Sequence, residues 1–383
     1  MHQLDSITES SLVAKGGRKW SSFPGSLGAF IAEMDFGVAP VVRDALRELD
    51  ERDLYGYAPY GTVADLRQAT ADFYADCYGW QFPSETVELA SDVLAGFIGV
   101  LQFLTPADTP IVLPTPAYMP FFDVARVVGR ELIQVPMKRQ EDVWALDLDA
   151  IDAALTPGAV FVLCNPHNPI GKVYTEQELL SIAEVVDRNR ARVFSDEIHA
   201  PLVYSPARHR PYASLTDVTA SHTVTATAAS KAFNIPGLKC AQLILTNDDD
   251  RAVWKRMGGF VSGAASNPGI LATTAAYTKG GDWLAEITDY LRGNRELLSD
   301  LIADHLPRAS YIAPEGTYLA WLDLRGYGIE SDLAGHFTAH AKVAITEGRL
   351  CGEVGQGHIR LNFALPRPLL KQAVERIGAA VAS

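Results

Sequence analysis

Short β-rich runs alternate with helical patterns between about residues 86 and 246 of this chain. Several of the runs are apolar throughout, which is typical of strands that helices cover on both faces. Such alternation predicts an α/β fold in which a mostly parallel sheet lies between helices. The predicted strands are residues 86–91, 109–113, 131–137, 159–164, 192–195, 223–228 and 240–246.

One helix between two of these strands can be located from its first residues. Thr175 and Glu178 have the spacing of a capping box, in which each side chain satisfies a free backbone N–H group of the first turn. One apolar stripe follows at helical spacing, formed by Leu179, Ile182, Ala183 and Val186. The pattern predicts a helix that crosses from one strand to the next.

The pattern changes after about residue 282, where a long helix is predicted over residues 283–305. Strand-like runs follow at 317–324 and 357–363. We therefore predict a smaller α+β domain over 282–383, which the N-terminal segment 1–40 joins, and a large ligand-binding domain over 41–281. A chain of 383 residues, 48% of them hydrophobic, can bury one large core and one smaller core.

The composition argues against several classes of function. A formal net charge of −13 disfavours nucleic-acid binding, which needs clustered basic residues. The chain has no Cys-x-x-Cys spacing, so neither a metal site nor a disulfide framework is predicted. It has no apolar run of eighteen residues and no signal-peptide pattern, so we expect no membrane span and a cytoplasmic location. No GxGxxG or Walker loop supports a dinucleotide or P-loop site.

Four polar segments come where predicted strands end, and ligands of parallel sheets bind at that edge. The segments are PTPAYMPF at 114–121, CNPHNPIGK at 164–172, SDEIH at 195–199 and ASKAF at 229–233. Taken singly, their polar and aromatic residues have ordinary explanations as a surface lysine, a helix cap, a turn residue and a core ring. Their shared position instead predicts one crevice containing Lys231, Asp196, Asn168 and Tyr118.

Pyridoxal phosphate is a ligand that would use all four of these side chains. A lysine is seldom buried unless it is paired or reactive, and the Lys231 amine would hold the cofactor aldehyde as a Schiff base. Asp196 would keep the ring nitrogen protonated, because an adjacent carboxylate raises the pKa of a basic nitrogen. Tyr118 would stack on the ring, and Asn168 would hydrogen-bond its phenolic oxygen.

The phosphate of that cofactor has its own predicted ligands. Ser230 and Lys239 would hold it, together with backbone N–H groups near Val93 and Leu94 at the start of the helix after Asp92. The N-terminus of a helix favours anions, since its first N–H groups have no partner within the helix.

With these motifs in place, the whole chain resembles the fold-type I pyridoxal-phosphate enzymes of the class I/II aminotransferase superfamily. Within them it is most similar to the cystathionine β-lyase group typified by the MalY and PatB proteins. The resemblance depends on AEMDF at 32–36, YGYAPYG at 55–61, TPAYMPF at 115–121, CNPHNPIGKVYT at 164–175, SDEIHAPLVY at 195–204, ASKAFNIPGLKCAQ at 229–242 and RLNFALPR at 360–367.

The resemblance gives the residues of the crevice the roles stated above and adds two more residues. It implies that Arg360 grips the α-carboxylate of an amino-acid substrate, a task suited to a planar guanidinium. It also implies that Tyr57 reaches the cofactor phosphate of a neighbouring subunit. The expected protein is therefore a homodimer with shared active sites.

Two positions depart from the pattern of the wider aminotransferase superfamily. His199 stands where the well-known aminotransferases have a tyrosine, a feature that the lyase group shares, and its role at the cofactor is left open. Lys239 replaces an arginine that binds the phosphate, and a lysine lacks the arginine fork. A packing or solvent-facing role for Lys239 therefore stays an alternative.

The activity implied by the resemblance is β-elimination from cystathionine or other cysteine S-conjugates, giving a thiol, pyruvate and ammonia. The first alternative is an aminotransferase on the same scaffold, because the same cofactor-holding residues serve both reactions. The second is a regulatory protein that keeps the fold and binds a partner. The complete set of Lys231, Asp196, Asn168 and Arg360 argues against a purely non-catalytic protein, since binding alone needs no reactive lysine.

Overall fold

The computed structural model describes residues 2–140, 142–329 and 332–382. Its strands are β1 Leu27–Gly28, β2 Val87–Ala90, β3 Ile111–Thr115, β4 Leu132–Pro136, β5 Lys138–Gln140, β6 Val143–Ala145, β7 Val160–Cys164, β8 Arg192–Asp196, β9 Thr223–Thr227, β10 Ala241–Leu245, β11 Ser310–Tyr311, β12 Leu319–Asp323, β13 Val343–Ala344, β14 Thr346–Glu347 and β15 His358–Asn362.

The α-helices of the described ranges lie around these strands, and none of them is both long and apolar enough to cross a membrane. They are α1 Glu9–Ala14, α2 Arg18–Ser21, α3 Pro40–Glu51, α4 Tyr60–Tyr78, α5 Val93–Phe103, α6 Pro120–Val128, α7 Leu148–Ala154, α8 Glu176–Arg188, α9 Asp217–His222, α10 Ala229–Ala232, α11 Asp248–Met257, α12 Gly259–Ser262, α13 Asn267–Lys279, α14 Gly281–His305, α15 Leu333–His336 and α16 Arg367–Ala382.

The largest sheet has seven strands in the order β2-β10-β9-β8-β7-β3-β4. β10 is antiparallel to both of its neighbours, and the other neighbouring pairs are parallel. Four of the strands, β3, β7, β9 and β10, are buried at every residue, as expected of strands covered on both faces. In β8 the first residue, Arg192, is half-buried. The predicted α/β class with a mostly parallel sheet is confirmed.

The end of β3 differs from the prediction. The second predicted strand, 109–113, ends two residues too early, because β3 continues to Thr115. β3 pairs with β7 only at Ile111 and Val112, while its pairing with β4 runs through all five residues. Pro114 therefore lies where the strand has one paired neighbour, and a missing N–H group is tolerated there.

The helix predicted from the capping box is α8. The Glu178 backbone N–H donates to Thr175 Oγ1 at 3.2 Å, and the Thr175 N–H donates to Glu178 Oε2 at 2.8 Å. The predicted apolar stripe is buried on the large sheet beside Phe161 and Val193. This helix connects β7 to β8, as the pattern predicted.

A second sheet has four antiparallel strands in the order β11-β12-β15-β14, with α14 and α16 packed against each other nearby. α14 begins at Gly281, two residues before its predicted start. Near the N-terminus, β1 pairs in parallel with β13. The domain boundaries at residues 40 and 281 stay predictions, and the pairing of β1 with β13 supports the first of them.

A buried ion pair anchors the N-terminal segment. Lys19 Nζ lies 3.0 Å from Asp35 Oδ2 and donates to the Glu33 carbonyl at 3.0 Å, while the Trp20 indole N–H donates to Asp35 Oδ1 at 2.8 Å. Both charged side chains are almost fully buried. Burial lowers the pKa of Lys19, and the nearby carboxylate of Asp35 opposes that shift.

We expect Asp35→Ala to lower the free energy of unfolding by about 3–5 kcal/mol, because it leaves Lys19 buried without its counter-charge. Urea unfolding of the purified protein measures this loss. Asp44→Ala serves as the control, since it breaks the exposed Arg47–Asp44 pair and should leave the midpoint almost unchanged. Equal midpoints for the two variants would contradict a stabilising role for the buried pair.

Candidate active site

Lys231, Asp196 and Asn168 lie at the carboxyl edge of the large sheet. Asp196 is the last residue of β8, not the residue after it, and Asn168 lies four residues beyond β7. Lys231 belongs to the short helix α10, which follows β9. Because β7, β8 and β9 are parallel, their carboxyl ends meet at one edge.

Lys231 is half-buried, and its amine donates to the carbonyl of Ala32 at 3.0 Å. Burial lowers the pKa of Lys231 to about 8, and the positive charge of Arg360 acts in the same direction. An amine with this pKa is partly neutral near physiological pH. Only the neutral amine is a nucleophile or a base, so the site prepares Lys231 for either task.

Asp196 is 4% exposed, and its Oδ1 accepts the Ile198 backbone N–H at 3.1 Å. Burial raises the pKa of Asp196 to about 7, and the charge of Glu197 adds to the effect. Within the described ranges, no basic side chain comes within 4.0 Å of this carboxylate. A buried carboxylate without a counter-charge is costly, so this site suits a ligand with a protonated nitrogen.

Arg360 extends from β15 of the small sheet and is 3% exposed. Its Nη1 donates to Asn168 Oδ1 at 3.2 Å, and its Nη2 donates to the Phe30 carbonyl at 3.0 Å and to Thr346 Oγ1 at 3.2 Å. Among the described residues, its Nε has no hydrogen-bond partner. The structure thus holds a buried cation beside the edge of the large sheet, where it suits an anionic group of a ligand.

Two loops of the large sheet are tied together behind Asn168. The ring of His167 contacts the Pro116 carbonyl through Nε2 at 2.8 Å and the Tyr174 hydroxyl through Nδ1 at 3.0 Å. Burial lowers the pKa of His167 to about 4, so the ring is neutral. Since a carbonyl only accepts, Nε2 carries the proton and Nδ1 accepts from Tyr174.

A glycine is required to close the Asn168 turn. Gly171 has a φ of +69°, and its N–H donates to the His167 carbonyl at 2.7 Å. A Cβ atom at this position would meet Pro314 and would lie 2.8 Å from the Gly316 carbonyl oxygen. The turn that carries Asn168 therefore packs closely against the segment that contains Pro314 and Gly316.

Tyr118 is half-buried, and its ring meets Phe121 edge-on with centroids 5.8 Å apart. Burial raises the pKa of Tyr118, and the charges of Arg360, Asp196 and Asp92 also act on it. Tyr118 thus lies near Arg360 and Asp196. That its ring stacks on a cofactor stays a prediction.

Three of the predicted phosphate ligands, Val93, Leu94 and Lys239, lie at the start of α5. Asp92 caps this helix by accepting the Ala95 N–H at 2.9 Å, which leaves the free N–H groups of Val93 and Leu94 at its first turn. Lys239 is exposed and lies 3.0 Å from Asp92 Oδ2. The structure therefore brings Lys239 to the predicted anion site but pairs it with a carboxylate. Ser230, also predicted there, is the half-buried residue before Lys231.

The last two predicted residues have different surroundings. His199 is buried, its ring meets Tyr318 edge-on at 6.1 Å, and its Nδ1 has no partner among the residues described. Burial lowers the pKa of His199 to about 3, with Lys231 and Arg360 adding to the effect, so the ring is neutral. Tyr57 is fully exposed, at 104%, and the structure does not place it with the buried cluster.

Sequence reasoning missed the N-terminal strap, which we define as residues 29–37. Its carbonyl groups accept from Lys231 and Arg360, and the Asn362 amide donates to those of Ile31 at 2.6 Å and Glu33 at 2.7 Å. Backbone acceptors leave no mark in the sequence, because any residue supplies one. The AEMDF string at 32–36 was the available signal.

Comparison with known proteins places this fold and site among enzymes that bind pyridoxal phosphate. The chain belongs to the aminotransferase class I and II family, whose model matches residues 31–377. A cystathionine beta-lyase of Corynebacterium glutamicum is 34% identical, over 94% of this chain and 95% of the relative. The cystathionine beta-lyase PatB of Bacillus subtilis is 30% identical, over 93% and 92%.

A solved structure of similar fold matches this chain over its whole length. It is the PLP-bound C-S lyase from Staphylococcus hominis, which is 28% identical and superposes with a TM-score of 0.92 over 100% of this chain and 99% of its own. The predicted membership of the superfamily, and the similarity to its cystathionine β-lyase group, are confirmed.

We expect Lys231 of the cofactor-free protein to be methylated by formaldehyde and borohydride with a midpoint near pH 8, because only the neutral amine reacts. Ordinary lysines have a pKa of about 10.4 and should react with a higher midpoint. Mass spectrometry of the peptide that contains Lys231 measures the reaction, and Lys231→Ala identifies that peptide. A midpoint near pH 10 would show that burial does not tune this amine.

Proposed function

We propose that this chain is a pyridoxal-phosphate-dependent carbon–sulfur β-lyase. It eliminates a thiol from cystathionine or another cysteine S-conjugate and releases pyruvate and ammonia. The proposal is carried by two groups at one edge of the large sheet. One is the partly neutral amine of Lys231, and the other is the buried carboxylate of Asp196, which has no basic side chain within 4.0 Å among the described residues. The cystathionine beta-lyase names of the relatives support the choice of reaction.

The residues present fit the cofactor, because Asp196 and Arg360 are buried charges without ion-pair partners among the described residues. Lys231 would hold its aldehyde, Asp196 its ring nitrogen and Asn168 its phenolic oxygen. Tyr118 would cover the ring. Ser230, Lys239 and the N–H groups of Val93 and Leu94 would bind its phosphate. When bound, the cofactor withdraws electrons from the substrate α-carbon.

The protein's own contribution is to orient the substrate and to move a proton. Arg360 receives the α-carboxylate, since its buried guanidinium offers a planar fork of donors. Lys231 Nζ accepts the α-proton, and its pKa of about 8 lies close to the pH at which the enzyme would work. Burial of both groups strengthens their interaction with a charged substrate.

A thiolate leaving group favours elimination over amino transfer. A thiol has a pKa of about 8.5, so a thiolate departs near neutral pH without strong acid assistance. Amino transfer needs the same residues of this chain but also a 2-oxo acid acceptor. The aminotransferase is therefore the alternative function, and the requirement for an acceptor separates the two reactions.

We also propose that the enzyme is a homodimer whose sites share Tyr57. The support is a group of exposed aromatic side chains, since large apolar groups in contact with water mark interaction surfaces. The group consists of Tyr55, Tyr57 and Tyr60, which lie within six consecutive residues of the chain. The proposed partners are a small amino-acid substrate and a second copy of the chain, and the cytoplasmic location stays a prediction.

Incubation of the holoenzyme with cystathionine alone should release pyruvate, ammonia and homocysteine. Lys231→Ala should lower the rate at least about a thousandfold, because the base and the cofactor-holding amine are lost together. Coupled dehydrogenase and thiol-reagent assays follow the products. Turnover that requires a 2-oxo acid and yields no thiol would favour the aminotransferase and refute the lyase.

Mixed dimers test the shared site. Tyr57→Phe and Lys231→Ala chains should form a hybrid in which one site carries both defects and the other carries neither, so activity returns to about half of the wild-type level. Differently tagged chains allow the hybrid to be purified before assay. If each defect stays within the site of its own chain, the hybrid will show no intact site, and the proposal fails.

A further inference from the structure

Thr346 lies directly opposite Arg360 in the small sheet. The two residues are register partners in the antiparallel pair of β14 and β15. Thr346 is 7% exposed, and its hydroxyl donates to the Phe30 carbonyl at 2.7 Å. Neither the family motifs nor the spacing of the site residues identifies this threonine.

The direction of each hydrogen bond at Thr346 is fixed. A hydroxyl has one proton, and the Phe30 carbonyl can only accept it. Thr346 Oγ1 must therefore accept from Arg360 Nη2, which lies 3.2 Å away. Arg360 Nη2 also donates to the Phe30 carbonyl at 3.0 Å, so Thr346, Phe30 and Arg360 form a closed triangle.

This triangle uses both N–H groups of Nη2. Nη1 contacts the Asn168 amide oxygen at 3.2 Å and the Met119 sulfur at 3.9 Å, while Nε has no partner in the described part of the chain. Two fixed acceptors on one nitrogen prevent rotation of the guanidinium plane. A carboxylate is recognised in that plane, so its orientation sets the affinity.

We propose that Thr346 is a positioning residue that fixes the Arg360 guanidinium for the substrate α-carboxylate. The inference rests on the proposed function, because it takes Arg360 as the carboxylate ligand. Valine has nearly the shape of threonine but no hydroxyl. Thr346→Val leaves Nη2 with one acceptor, and the plane of the guanidinium is then free to turn.

Binding of L-alanine and of ethylamine to the holoenzyme, measured by calorimetry, tests the role. The two ligands share the amine and the methyl group, and only alanine carries the carboxylate. Thr346→Val should weaken alanine binding about tenfold, the effect of losing one hydrogen bond to a charged group, and leave ethylamine binding unchanged. With cystathionine, KM should rise by a similar factor while kcat stays within about twofold.

Two further variants distinguish the loss of Arg360 positioning from a general disturbance of the fold. Thr346→Ser keeps the hydroxyl and should restore alanine affinity to within about threefold of wild type. Thr70→Val is the matched control, since Thr70 is buried and its hydroxyl donates to the Leu66 carbonyl of its own helix. It should leave the affinities for both ligands unchanged. If Thr346→Val does not fold, Thr346→Ala removes the same hydroxyl with less crowding.

A double-variant cycle with Arg360→Ala completes the test. If Thr346 acts through Arg360, Thr346→Val should have no further effect on alanine binding in the Arg360→Ala background. A tenfold loss that persists there, or an equal loss for ethylamine, overturns the role of Thr346 and leaves the lyase proposal standing. Arg360→Ala with undiminished alanine binding would instead overturn the carboxylate assignment on which this inference rests.

Discussion

Hydrogen bonds to the carbonyl groups of the N-terminal strap hold the two sheets in one site. Lys231, in the short helix that follows β9 of the large sheet, donates to Ala32. Arg360 and Asn362, from the small sheet, donate to Phe30, Ile31 and Glu33. The strap therefore sets the separation between the reactive amine and the buried guanidinium. The Lys19–Asp35 ion pair matters because it anchors one end of this segment.

Buried charges are paired in the N-terminal segment but unpaired in the candidate active site. Lys19 and Asp35 neutralise each other, so this ion pair does not attract a charged ligand. Asp196 and Arg360 are as deeply buried, yet neither has an ion-pair partner among the described residues. Burying an unpaired charge costs stability, and a ligand that brings the opposite charge recovers it. The unpaired charges of Asp196 and Arg360 therefore lower the stability of the ligand-free protein at the place where a ligand would bind.

The sequence alone was enough to predict the sheet, α8 and the grouping of Lys231, Asp196 and Asn168. These depend on local signals, namely apolar runs, a capping box and polar residues where parallel strands end. Arg360 has no such signal, because it lies in another sheet, and it was found by resemblance. The strap and Thr346 were missed, since their contacts join positions up to 330 residues apart through backbone atoms. At β3, the predicted strand stopped at residue 113, although its pairing with β4 continues to Thr115.

The pairing of β1 with β13 has a consequence for the order in which the chain is made. Leu27 leaves the ribosome early, but its partner Val343 follows more than three hundred residues later. The strands of the large sheet are all contained in residues 87–245, so they can pair before the small-sheet residues that contact the strap have been synthesised. Contacts between distant parts of a chain form slowly, because a long loop must close first. A chain released before β13 therefore has the reactive lysine but no completed pocket around it, so synthesis must finish before chemistry can start.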